Sequence, residues 1–502
     1  MVNTSSVRVR QRASQKYARP ADGCMKSYQE LADRWVRGSG GPLDDVDPAD
    51  PGHVLAKVRL STKEDARGAV EAARSKAAEW GGTPPPKRGG ILMKAGELME
   101  SAAEEFSELL TYEEGKTLPE SRAEVARTCA LFKFYGAMAY KFGGVTLPSS
   151  DQNTRIFTAR VPLGVVAAIT PWNFPASIPA WKLAPALAAG NAAVFKPATK
   201  TPLTGAKILE ALEKAGLPPG VLNMVVGRGG EVGDAIVAHE AVRAVSLTGS
   251  TAVGAHVGKV LASKDEMSRM QLELGGKNAL VVDSDADLAL AADLAVRGAF
   301  GLTGQSCTAT SRLIVLEKAA RGLKERLLER LKAWKAGPGT QPGVNMGPVV
   351  DPDQYRKDLD YIESGKSEGG KLIHGGGATP PGLLIEPTVF DGVSPGMRIF
   401  DEEVFGPVLS LTEAATFDEA LELVNSVGYG HTAGIVSNDN RTINRFIDGA
   451  QTGVVKVNKP TVGLELQAPF GGFKKSGAGT WKEMGEGALE FYSTEKTVYL
   501  GY

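Results

Sequence analysis

The sequence predicts an α/β protein built on a parallel sheet wrapped by helices, and three observations carry that prediction. Short apolar runs alternate regularly with helical patterns after Arg160. Two glycine-bearing stretches, 227–233 and 248–254, each follow an apolar run and lead into a helical pattern. The 502 residues exceed what a single hydrophobic core ordinarily holds, so two or more domains are expected.

The elements follow in order. Residues 1–24 carry Arg8, Arg10, Arg12, Lys16 and Arg19 against Asp22 alone. Organelle transit peptides share that composition. The segment has little apolar surface for an amphipathic face, so a disordered tail is expected, or a true start at Met25. Over 62–74 and 87–113 apolar residues recur at helical spacings, separated by Gly81-Gly82-Thr83-Pro84-Pro85-Pro86. A third helix is expected over 120–140, with Cys129 as a buried structural thiol. Then come strands at 165–170, 192–196, 221–226 and 242–248, interleaved with helices at 178–189, 203–215, 232–239 and 252–262. Such alternation builds a nucleotide-binding architecture. A second α/β unit runs from 278–282 through 323–334, read as a surface helix, to 453–458, and the alternating tail 494–500 reads as a strand.

Composition narrows the function. A net charge of −1 gives no electrostatic reason to expect nucleic acid or an anionic membrane. No apolar run is long enough to span a bilayer. Cys24, Cys129 and Cys307 have no paired spacing, which argues against disulfides or structural zinc and for a reducing, cytoplasmic location. The five histidines show no metal-ligand spacing, so no metal is expected.

The glycine stretches suggest a cofactor. In Gly227-Arg228-Gly229-Gly230-Glu231-Val232-Gly233 the last glycine comes one residue late for the dinucleotide fingerprint, and a plain tight turn explains it as well. In Thr248-Gly249-Ser250-Thr251 the serine is placed to cap a helix, leaving backbone N–H groups for a diphosphate. Three further stretches carry chemistry. Gly304-Gln305-Ser306-Cys307 sets a thiol among small polar residues, Leu272-Glu273-Leu274-Gly275-Gly276-Lys277 holds a carboxylate in a glycine turn, and Pro171-Trp172-Asn173-Phe174-Pro175 offers a side-chain amide. Nucleophile, base and oxyanion donor make a set for acyl chemistry if the fold joins them.

These motifs, with Gly249–Gly254, Glu402-Glu403-Val404-Phe405-Gly406-Pro407 and Pro469-Phe470-Gly471-Gly472-Phe473, occur in one order over nearly everything after residue 30. In that, the chain resembles the hydrolytic, NAD(P)-dependent aldehyde dehydrogenases. The resemblance implies a Rossmann-type cofactor domain (25–142 and 162–273, with 476–489), an α/β catalytic domain (274–475) and a small oligomerisation element (143–161 and 490–502). It makes Cys307 the nucleophile, Asn173 and the Cys307 N–H the oxyanion donors, and Glu273 the base that activates water against a thioester. Ile169, Trp172, Lys196, Thr199, Gly229, Gly249, Ser250, Leu274, Glu403 and Phe405 would hold the cofactor. Many NAD-preferring members carry a glutamate where Thr199 stands. A hydroxyl there beside Lys196 can bind a 2′-phosphate, so NADP is expected to be preferred, with NAD possible.

Within the family, Ser306-Cys307-Thr308-Ala309-Thr310-Ser311-Arg312 and Leu466-Gln467-Ala468-Pro469-Phe470 look most like 2-oxoglutarate semialdehyde (2,5-dioxopentanoate) dehydrogenases. Members taking such carboxylates often place an arginine where this chain has Gly301, and succinic semialdehyde enzymes add one at Trp181. Arg155, Arg160 or Arg297 are candidates to compensate. The alternatives are a broad-specificity dehydrogenase for aliphatic or aromatic aldehydes and, more distantly, a non-catalytic homologue. A homodimer or homotetramer is expected, with a small-molecule aldehyde as the partner.

Overall fold

The computed structural model describes residues 22–379, 382–478 and 481–502. Residues 1–21 of the expected tail lie outside these, and 22–24 open the helix Asp22–Trp35.

The first α/β unit is a five-stranded parallel sheet whose spatial order is Leu222–Met224, Ala192–Lys196, Val165–Ile169, Val242–Thr248, Arg269–Glu273. The chain builds one side outward from Val165–Ile169 and then restarts on its other side. The strand order therefore reverses between Val165–Ile169 and Val242–Thr248, the place where doubly wound sheets open a ligand crevice. The two central strands Val165–Ile169 and Ala192–Lys196 are apolar over nearly their whole length, as strands covered by helices on both faces are. Register fixes which residues share the crevice. Ile169 pairs with Lys196 on one side and Leu247 on the other, and Thr248 pairs with Glu273.

The second unit is a seven-stranded sheet, parallel except for the edge strand Lys371–His374. Its centre is Asn278–Val282 between Thr310–Leu316 and Thr432–Val436. Helix Glu317–Ala333 buries Leu323, Leu327 and Leu331 and turns its charges outward, as an ordinary surface helix does. A third sheet is antiparallel: Ser493–Gly501 pairs with Thr154–Pro162 along its whole length, and Thr146–Leu147 lies beyond. The chain returns to the first unit after the second is complete, where the Leu274 N–H donates to the Ser476 carbonyl.

Two local expectations are adjusted. The helical pattern over 87–113 is two helices, Pro85–Ser101 and Ala103–Glu114, broken at Ala102. The helix expected over 232–239 is a π-helical turn Gly229–Gly233 followed by the short Asp234–Val237. A run so rich in glycine holds a regular helix weakly. Cys129 is buried, and burial pushes its thiol up to about 11. No helix among the described residues is long and apolar enough to cross a membrane.

Candidate active site

Cys307 sits on the loop between helix Leu288–Phe300 and strand Thr310–Leu316. The loop is tightly wound: Leu302, Thr303 and Gly304 take φ of 53°, 57° and 69°. For the first two, which carry side chains, the left-handed region costs roughly 1–2 kcal/mol each. Anchors from outside the loop hold it there. The Leu302 N–H donates to Glu120 Oε1 at 2.7 Å, and the Thr303 hydroxyl to the Gly347 carbonyl at 3.0 Å. Glycine is required at 304, because a Cβ would stand 2.2 Å from the Gly406 carbonyl oxygen.

Glu273 ends the last strand of the first sheet, and the turn after it runs directly beneath the Cys307 loop. A Cβ on Gly276 would lie 2.3 Å from the Cys307 carbonyl oxygen. Asn278, two residues on, locks the two loops together: its Nδ2 donates to the Cys307 and Ala309 carbonyls at 2.8 and 2.9 Å, and its Oδ1 accepts from the Thr432 N–H. Asn173 is buried on the loop after Val165–Ile169. Its Nδ2 donates to the Gln305 carbonyl at 2.9 Å, and its own carbonyl accepts from Lys116 Nζ at 2.7 Å. One amide hydrogen of Asn173 is thereby fixed toward the cysteine loop, leaving the other for a ligand.

The electrostatics are those of a dry site. Burial raises the Glu273 carboxyl well above its usual range, and the nearby Glu483 adds to the shift while Lys182 and Lys482 oppose it. Glu273 Oε2 has no hydrogen-bond partner, and His431 Nε2 stands 3.7 Å away. Burial drops His431 to about 4, so the imidazole is neutral and no ion pair forms at neutral pH. Burial likewise pushes the Cys307 thiol up, with Glu273, Glu403 and Glu483 adding to it. Burial and the surrounding carboxylates thus favour the uncharged form of both groups.

Sequence reasoning missed the groups behind Glu273. Lys182 Nζ donates to Ser246 Oγ at 2.9 Å and pairs with Glu483, and Ser246 bonds Gln271 Oε1 at 2.7 Å. Lys182 and Glu483 are separated by 301 residues, so no local motif could reveal them.

The remaining candidates line the crevice at the carboxyl ends of the first sheet. Lys196 is buried, its only acceptor among the described residues the Pro197 carbonyl at 3.4 Å, and burial lowers its ammonium to about 8. An ammonium this poorly satisfied fits an anionic or hydroxyl-rich ligand. Thr199 is half-buried three residues on, and the turn beginning at Gly229 brings Gly233 against the Lys196 stem. The Gly249 N–H donates to the Glu273 carbonyl. Ser250 caps helix Thr251–Ala262, its Oγ accepting from the Val253 N–H at 3.3 Å. Leu274 packs under Gly254. Farther along, Glu403 Oε1 accepts from the Gly276 N–H at 2.7 Å, and Phe405, at φ 66°, stands edge-on to Trp172 with centroids 5.4 Å apart. These residues fit a pyridine dinucleotide: a cation and a helix amino terminus for phosphates, a carboxylate for ribose hydroxyls and an aromatic pair for the ring end.

Cys307 also opens onto a cavity of about 390 Å³. Phe174, Ile178, Trp181 and Leu464 make its walls apolar, while Arg127 and Arg297 line it too. Arg155 and Arg160 do not: both lie on strand Thr154–Pro162, and Arg160 faces Glu490 and Glu495.

The model of the aldehyde dehydrogenase family matches residues 35–498. The 2,5-dioxopentanoate dehydrogenase of Saccharolobus solfataricus is 64% identical, over 95% of this chain and 100% of that protein. The alpha-ketoglutarate semialdehyde dehydrogenase of Haloferax volcanii is 46% identical, over 93% and 98%. Among solved structures, betaine aldehyde dehydrogenase from Staphylococcus aureus in complex with NAD+ superimposes with a TM-score of 0.90, at 34% identity, over 95% of this chain and 97% of that one.

Proposed function

The chain belongs to the aldehyde dehydrogenase family, and from that premise we propose that it oxidises 2-oxoglutarate semialdehyde to 2-oxoglutarate, with NADP preferred over NAD. It is an NAD(P)-dependent oxidoreductase that converts an aldehyde to a carboxylic acid. The observation that carries the reading is the convergence of Cys307, Asn173 and Glu273 on interlocked loops beside one cavity. The substrate rests on the names of similar proteins from Saccharolobus solfataricus, Haloferax volcanii and Bacillus subtilis.

Cys307 gives its thiol proton to water and its Sγ attacks the aldehyde carbon, while the free hydrogen of the Asn173 amide and the Cys307 N–H hold the oxygen as it becomes anionic. A bound NAD(P) supplies the hydride acceptor. Loss of that hydride leaves the acyl group on Sγ as a thioester. Glu273, ionised at this stage, takes a proton from the water that attacks the acyl carbon, and the acid departs as Sγ is restored. The first sheet carries the cofactor through Ile169, Trp172, Lys196, Thr199, Gly229, Gly249, Ser250 and Leu274, and the second contributes Glu403 and Phe405. Lys196 and Thr199 together favour a 2′-phosphate, because no carboxylate stands at 199 to repel it.

Residues 143–161 and 490–502 form the oligomerisation element. Tyr499 and Leu500 are exposed on the edge strand of the antiparallel sheet, where a second copy would pair. A thiol nucleophile is served by a reducing cytoplasm.

The apolar cavity walls favour one second reading, a broad oxidiser of uncharged aldehydes. Steady-state kinetics of purified protein separate the two, using 2-oxoglutarate semialdehyde beside a medium-chain aldehyde, NADP beside NAD, and Cys307→Ala as control. A far higher kcat/KM for the semialdehyde supports the proposal. Equal or better turnover of the uncharged aldehyde replaces it with the broad reading, and activity in Cys307→Ala removes the mechanism.

A further inference from the structure

We propose that Arg127 and Arg297 form a two-sided anchor for the substrate's carboxylate, a role that rests on the semialdehyde reading above. Both line the cavity that Cys307 opens onto. They come from different units: Arg127 from helix Leu118–Met138, which packs in the first core, and Arg297 from helix Leu288–Phe300, which packs in the second. Gly301 and Trp181 stand on the same walls and offer no charge, so these two guanidiniums are the cations that meet a ligand there.

Among the described residues the acids around them form no ion pair with either arginine, although the Glu124 charge reaches Arg127. Glu120 and Glu124 line the same cavity, but their oxygens are already used. Glu124 Oε1 accepts from the Ala176 and Ser177 N–H groups, and its Oε2 from Lys116 Nζ at 2.5 Å. Glu120 Oε2 accepts from the Thr117 N–H and hydroxyl, and its Oε1 from the Leu302 N–H. Glu465 is the other acid whose charge reaches Arg127, and Lys456 lies near enough to oppose it. Among the described residues, neither Arg127 nor Arg297 has an ion-pair partner. Arg127 is half-buried, and burial lowers its pKa, so an incoming anion relieves a strain that the folded protein carries.

The cavity lining is therefore amphipathic. Cys307 lies at the reacting end, Phe174, Ile178 and Leu464 surround the methylene stem, and Arg297 is exposed toward solvent. A short aldehyde with a planar α-keto carboxylate at its far end matches that order. Two guanidiniums grip its oxygens with directed N–H bonds where one ammonium would supply only charge.

The test compares kcat/KM for 2-oxoglutarate semialdehyde with that for pentanal, in the wild type, Arg127→Gln, Arg297→Gln and Arg127→Lys. The ratio of the two is expected to fall about ten- to hundredfold in each glutamine variant, through KM for the semialdehyde, as lost charged hydrogen bonds require. Arg127→Lys should restore part of it. A ratio unchanged in both glutamine variants, with a strong wild-type preference for the semialdehyde, overturns the anchor and leaves the substrate reading standing. A wild type with no such preference overturns the substrate reading and the anchor with it. Arg297 is exposed, so its variant keeps the test decisive if Arg127→Gln does not fold.

Discussion

Asn173 illustrates how the site is set one residue at a time. Its backbone carbonyl is tied to Lys116 and one amide hydrogen to Gln305, so the remaining hydrogen has a single direction in which to point. Asn173→Ala is expected to lower kcat by about two to three orders of magnitude, the usual effect of removing one oxyanion donor. Rapid-mixing measurement of hydride transfer checks it, and an unchanged transfer rate would remove Asn173 from the mechanism. Lys196 carries a prediction in pH. Its ammonium titrates at about 8, below the usual lysine value, so the cation is present below that pH and lost as pH rises through it. The kcat/KM for NADP should therefore decline above pH 8 while that for NAD declines less, and Lys196→Met should flatten the difference. Parallel profiles for the two cofactors would contradict the assignment.

At the scale of elements, three loops meet because their contacts leave no room for side chains. Gly276→Ala puts a methyl group 2.3 Å from the Cys307 carbonyl and must push the two loops apart. A loss of about 1–3 kcal/mol in stability is expected from overpacking, with kcat falling more than tenfold in the protein that still folds. Thermal unfolding beside kinetics reads both, and a variant with normal kcat would mean the loops are not interlocked as described. Much of this was legible in the sequence. The strands Val242–Thr248 and Asn278–Val282 match their apolar runs to the residue, because strands buried on both faces need continuous hydrophobicity. Asn173, Glu273 and Cys307 stood out because each lies in a short, distinctive motif. Lys182, His431 and Glu483 did not, since only the packing of distant segments brings them behind Glu273. Arg127 was equally silent, one more charged residue on a long helix.

For the whole molecule, the antiparallel sheet is the proposed oligomerisation element. Strand Ser493–Gly501 is fully paired on one side with Thr154–Pro162 and open on the other, and it exposes Tyr499 and Leu500. Light scattering should return a multiple of the 52.8 kDa chain mass, and Tyr499→Lys with Leu500→Lys should shift it toward one copy. A wild-type monomer would contradict the role given to this element. The same scale explains why the site needs both units. Glu273 ends a strand of the first sheet and Cys307 lies on a loop of the second unit, so the proposed reaction would draw on both.

The most direct test of the central claim is a stopped-flow experiment on Glu273→Gln, with 2-oxoglutarate semialdehyde and NADP, followed by intact-protein mass analysis. If Cys307 carries a thioester that Glu273 clears, the variant will form one equivalent of NADPH rapidly, then nearly stop, and will hold the acyl mass on Cys307. Continued turnover at the wild-type rate, or a stalled enzyme with no adduct on Cys307, would contradict the account.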